Sequence, residues 1–207
     1  MREYTMGENV ISYILQIATI VITLTLGLIS VYQTRKLQSE QNIISVTTDY
    51  RLKRVEQLRE FSRCLLANTN PLLMKLEDDT IKMLQDAANA SEAISIILHR
   101  YFDADRELME LANNIVQLAL AYHNSNKNCE RTYHELIYKR DLFKIKCDMY
   151  TTADWNRIKR ETKGVNTSAE SWIDYYERIE KGFGDELNKI KARYNDSIRN
   201  IPVDSGR

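Results

Sequence analysis

The run Val10–Tyr32, VISYILQIATIVITLTLGLISVY, contains no charged residue and decides the architecture. At about 1.5 Å per residue it reaches roughly 35 Å as an α-helix, against a hydrocarbon core of about 30 Å. A cleavable signal peptide has a shorter apolar core followed by a small-residue cleavage site. Here Val31-Tyr32-Gln33-Thr34-Arg35-Lys36 follows, an interfacial tyrosine and then a basic stop. Arg35 and Lys36, backed by Arg51, Lys53 and Arg54, outweigh Arg2 with Glu3 and Glu8 on the other flank. Positive charge stays inside, so the C-terminal part is expected in the cytoplasm.

One face of this helix is polar. At about 100° per residue, Ser12, Gln16, Thr19, Thr23, Gly27 and Ser30 fall within an arc of roughly 80°, while Thr25 points to the opposite side. Lipid surrounds a lone helix evenly and rewards no such order. A stripe of this kind is expected to meet copies of itself or water. Two readings stay open. In a dry seam, small residues let backbones approach and hydroxyls bond back to carbonyls four residues earlier. In a pore, three or more copies enclose a polar lumen; the four-three-four spacing of Ser12, Gln16, Thr19 and Thr23 resembles a coiled-coil seam. Gln16 resists the dry reading best, because its amide needs a partner at membrane depth.

About 170 residues lie beyond the span, enough for one modest domain. Six glycines and two prolines are too few for a many-stranded β domain, and apolar residues recur at helical spacing. The fold expected is all-α: a short outer tail (1–9), a membrane helix (10–32), a juxtamembrane stalk helix (33–66), a helical bundle (67–200) and a tail (201–207). Asn70-Pro71 ends the stalk helix. Further helices are expected over 72–88, from an N-cap at Ser91, over 106–123 behind Asp103 or Asp105, and over 130–161. After a break at Gly164-Val165-Asn166, one last helix is expected from an N-cap at Ser168 to Arg199.

Chemistry is sparse. The 29 basic and 29 acidic residues cancel, so no global field draws the chain to nucleic acid. Cys64, Cys129 and Cys147 are scattered and suit reduced thiols, and His99, His123 and His134 have no ligand spacing. No glycine-rich phosphate loop and no acid–base pair stands out, so neither enzyme nor cofactor nor metal site is expected. The local basic clusters are the remaining ligand candidates. Arg51, Arg54 and Arg59 precede the bundle, Lys139 and Arg140 lie on the long helix, and Trp155 leads Arg157, Lys159 and Arg160. An indole among cations suits base stacking and phosphate pairing. The blander reading comes first: Trp155 and Ile158 at i, i+3 mark a packed face, and the charges are solvated. Arg51, Arg54 and Arg59 also suit anionic lipid headgroups.

Asp49–Phe61 (DYRLKRVEQLREF), directly after a membrane helix, resembles a pattern of small bacterial membrane-anchored proteins; Arg51, Leu58 and Arg59 fit it, and Arg54 replaces the usual tryptophan. Asp154–Glu161 (DWNRIKRE) is similar to the tryptophan-and-lysine motif that closes the same domain. The resemblance is to transmembrane effectors of anti-phage defence, most of all the Hailong-type effectors. It implies a homo-oligomeric channel in the bacterial inner membrane, a tetramer being favoured. It also implies gating by short single-stranded DNA that a partner nucleotidyltransferase makes. The alternative is a membrane-anchored helical scaffold that recruits a cytosolic partner.

Overall fold

In the computed structural model the described residues are 4–76, 79–98, 102–125, 129–163, 172–199 and 201. They are α-helical with no strand among them: α1 (Tyr4–Asn68), α2 (Pro71–Leu76), α3 (Thr80–Ile97), α4 (Asp103–Asn124), α5 (Glu130–Thr162), α6 (Trp172–Gly182) and α7 (Gly184–Arg199). The chain divides into a first compact unit, Met1–Thr47, and a second, Thr48–Arg207.

In the first unit, Gln16–Gln38 is long and apolar enough to cross a membrane, with a mean hydropathy of 1.7 and no buried residue. Ile17, Ile20, Leu24 and Leu28 are all exposed, as a helix meeting only lipid or another helix requires. The outer tail expected at 1–9 and the side chain of Ser12 lie outside the described residues.

The second unit is a helical bundle, and it starts earlier than residue 67. Val55, Leu58, Ser62, Leu65 and Thr69 of the expected stalk and its end are buried, at alternating three- and four-residue steps. That spacing keeps one stripe of α1 in the core. The stripe runs antiparallel to α5: Arg51 meets Glu161, Arg54 meets Asp154, Ser62 meets Cys147 and the Leu66 carbonyl meets Arg140. Around this pair, α5 also packs on α4, α6 and α7, and α4 on α3. Tyr122, Phe143 and Tyr150 are the largest fully buried side chains.

The ends of the helices have local causes. Thr69 Oγ1 and Arg140 Nη2 donate to the carbonyls of Leu65 (2.7 Å) and Leu66 (2.6 Å), closing the last turn of α1. Pro71 opens α2, where its missing N–H costs nothing, and Asn70 Oδ1 accepts from the Leu72 N–H at 3.1 Å. The single helix expected over 72–88 is in fact broken, and Asp79 caps α3 by accepting from Lys82 N at 3.2 Å. The expected cap at Ser91 is overturned: Ser91 is buried inside α3, and its carbonyl accepts the Ser95 hydroxyl at 3.1 Å. Phe102, not Asp103 or Asp105, stands at the N-cap of α4. The final helix is likewise two, α6 and α7, interrupted at Phe183. Gly182 and Gly184 weaken helical continuity there by about 1 kcal/mol each, and Phe183 packs toward the core. The Gly164–Asn166 break and the Ser168 cap lie outside the described residues.

Leu58 is fully buried. Leu58→Ala is expected to lower unfolding free energy by about 2–5 kcal/mol through lost transfer energy and the cavity left behind. The exposed Leu76→Ala should stay within about 0.5 kcal/mol. Urea unfolding of the full chain in detergent, followed by circular dichroism, checks both.

Candidate functional site

Two places carry the polar chemistry, and each lies within one unit. In the first, Gln16, Thr19, Thr23, Gly27 and Ser30 are all exposed. The Thr23 hydroxyl donates to the Thr19 carbonyl at 2.8 Å, and Thr34 does the same to Ser30 at 2.8 Å. Thr25, on the opposite side, bonds back to Val21 at 2.7 Å, so this device is not special to the stripe. A hydroxyl that has given its proton away keeps only acceptor lone pairs and tolerates a dry surface. Gln16 is different: among the described residues its amide has no partner. A Cβ placed on Gly27 would meet nothing within 4 Å, so that point of the helix is open to a close neighbour.

In the second unit, three of the basic residues singled out by sequence, Arg51, Arg54 and Arg157, have found carboxylates. Arg51 pairs with Glu161, which Arg157 Nε also approaches at 3.3 Å. Arg54 Nη2 donates to Asp154 Oδ2 at 2.6 Å. Burial alone would lower the pKa of Arg54; the Asp154 carboxylate outweighs it and raises the value overall. Arg140 closes α1 instead of facing solvent, and its burial lowers its pKa. Arg160 donates to the Tyr175 hydroxyl at 3.2 Å and lies 5.5 Å from that ring's centroid. Lys139 lies 5.9 Å from the ring of Tyr138, and Arg59 is exposed.

Trp155 departs from its first reading. It is 37% exposed, with Lys159 Nζ 5.4 Å from its ring centroid, while Ile158 is buried. The buried stripe of α5 runs Phe143, Cys147, Tyr150, Asp154, Ile158, and Trp155 sits one residue around from it.

The indole inside the domain is Trp172. Its Nε1 donates to Asp154 Oδ1 at 2.9 Å, so both oxygens of this carboxylate are held. Phe102, Tyr150 and Tyr176 surround the ring at centroid distances of 5.0–5.1 Å. Arg54 completes the cluster over Tyr150 at 5.6 Å. Burial, foremost, pushes the Tyr150 phenol upward; Arg54 opposes it, and Asp154 and Asp105 add to it. Next to the cluster, Lys146 is buried between Glu180 at 2.7 Å and Glu107 at 3.0 Å, tying α5 to α6 and α4. Its burial lowers its pKa, but those two carboxylates raise it further. The signal for this cluster was present in sequence: Asp154 falls in register with Cys147, Tyr150 and Ile158, a polar residue on a core stripe. The run of charges beside it concealed it.

Buried in this way, these groups serve cohesion better than catalysis. Cys147 hydrogen-bonds Ser62 at 3.2 Å, and burial pushes its thiol up to about 11, away from the thiolate a nucleophile needs. Among the described residues no group of three or more His, Cys, Asp or Glu side chains could hold a metal ion. No family model, curated protein or solved structure matches the chain.

Asp154→Ala strands the buried Arg54 guanidinium and should cost about 3–5 kcal/mol in urea unfolding. The Cys147 value also fixes a pH dependence. Raised from 9.0 to about 11, the folded thiol holds its proton more tightly than the unfolded one. Its stabilisation is full below about pH 9 and is lost as pH rises through about 11, roughly 2–3 kcal/mol at most. Unfolding midpoints measured from pH 8 to 11 should fall, and fall less steeply in Cys147→Ala.

Proposed function

We propose that the protein is a membrane effector of anti-phage defence that forms a homo-oligomeric ion channel. In this reading it sits in the bacterial inner membrane as a single-pass protein, with the helical bundle in the cytoplasm. The observation that carries the reading is Gln16, an amide with no partner among the described residues, on the uncharged Val10–Tyr32 stretch and on the same face as the open Gly27. An amide at membrane depth is costly unless it meets water or another helix. Copies arranged around that face, a tetramer being favoured, give both. The resemblance of Asp49–Phe61 and Asp154–Glu161 to Hailong-type effectors supports the same reading and supplies the ligand class, short single-stranded DNA from a partner nucleotidyltransferase.

The ion pairs give such a ligand something to act on. A ligand shifts an equilibrium only by binding two states differently. Phosphates that draw Arg51 or Arg157 away from Glu161 would favour whichever state has those pairs broken. Arg59, Lys159 and Trp155 are exposed and would make first contact.

Thr23 favours a second reading. With its proton donated to Thr19, the middle of the stripe can pack dry, as in an anchored scaffold whose helices form dimers. Potassium flux from liposomes separates the two. A channel loses conductance in Gln16→Leu and Thr23→Leu while its oligomers persist, and short single-stranded DNA changes the wild-type flux. Flux unchanged in both variants counts against a lumen at this stripe. A silent, dimeric protein that works equally well on an unrelated membrane anchor favours the scaffold.

A further inference from the structure

Between α1 and the C-terminal end of α3 lies a groove of about 210 Å³, lined by Tyr50, Lys53, Arg54, Gln57, Ile96 and Ile97. Among the described residues each of its polar side chains can donate a hydrogen bond, and no carboxylate lines it. The four residues of α1 follow from helical spacing: positions 50, 53, 54 and 57 share one face. That face lies beside the core stripe of Val55, Leu58 and Ser62, so the groove is a shoulder of the bundle rather than its interior.

The donors are also available. Among the described residues Lys53 has no ion pair, and neither the Tyr50 hydroxyl nor the Gln57 amide has a hydrogen-bond partner. Arg54 is committed to Asp154 at Nη2 and its Nε–H is buried out of reach, so it lends the groove positive charge and not a free donor. Opposite the donors, Ile96 is 76% exposed and Ile97 half-buried, an apolar lip that water does not stabilise.

We infer that this groove binds a phosphate group, with Lys53 as its point charge, Gln57 and Tyr50 as neutral donors, and the apolar lip against the carbon skeleton the phosphate is attached to. The groove has room for one phosphate with its ester linkage. An ammonium paired with neutral donors, free of competing carboxylate, is the chemistry that phosphate oxygens select. Two sources offer it: a phospholipid headgroup or a soluble phosphate. The inference holds whether or not the membrane helices conduct ions.

The test uses the full chain in maltoside micelles, which carry no phosphate. In one arm inorganic phosphate is titrated against chloride at matched ionic strength; in the other, phosphatidylglycerol is titrated into the micelles. Binding is read by phosphorus NMR and by intrinsic fluorescence. Saturable binding of either probe is expected, weakened at least tenfold in Lys53→Glu and about threefold in Gln57→Ala. Phosphatidylglycerol alone binding assigns a headgroup site, and inorganic phosphate binding assigns a soluble ligand. Neither probe binding, or binding indifferent to Lys53→Glu, overturns the inference. Lys53 is exposed and unpaired, so its variants should keep the wild-type circular dichroism spectrum and unfolding midpoint. Loss of ion flux is not among the readouts, which keeps this result separate from the channel reading.

Discussion

A carboxylate buried as deeply as Asp154 has lost its water, and its oxygens need partners from the protein instead. Here they come from two directions. Arg54 brings a charge from α1, and Trp172 brings a neutral donor from α6, one to each oxygen. Satisfying one side chain of α5 thus requires three helices to take up fixed places. The aromatic rings of Phe102, Tyr150 and Tyr176 then have a rigid indole to pack on. Hydrophobic area supplies most of the driving force for such a bundle, but area is indifferent to register. The buried ion pair is not: sliding α1 by one turn against α5 would separate Arg54 from Asp154 and leave both uncompensated. Lys146, held between Glu107 and Glu180, fixes α4 and α6 in the same manner.

What could be read in the sequence was what repeats along one helix. Leu108, Leu111, Ile115 and Ala119 are all buried in α4, and their three- and four-residue spacing announced it. The apolar run near the N-terminus was legible for the same reason. What could not be read depended on partners far along the chain. Arg51 and Glu161 are 110 residues apart, and Arg54 and Asp154 are 100 apart. Seen linearly, both arginines were free cations. Helix breaks were misread where the residues had two uses. Serine caps helices, but Ser91 hides its side chain in α3; two glycines can sit inside a helix, but around Phe183 they end one.

The polar stripe is a separate kind of problem. Thr23 satisfies its hydroxyl against its own backbone, which makes it cheap to keep at any depth in a membrane. Gln16 and Gly27 are positions where the helix alone is incomplete. One lacks a hydrogen-bond partner among the described residues and the other lacks volume, two needs that a helix packed on that face would meet.

The closure of α1 by Arg140 has a consequence in time. The guanidinium that seals the Leu66 carbonyl is made 74 residues later. At roughly 5–20 residues per second, a ribosome needs about 4–15 seconds to reach it. Throughout that interval Val55, Leu58 and Leu65 have emerged without the α5 surface they pack on. The half of α1 that anchors the bundle is therefore synthesised well before the α5 residues that meet it. The pace of translation between the end of α1 and α5 sets how long that apolar stripe is open to chaperones, to other nascent chains, or to the membrane itself.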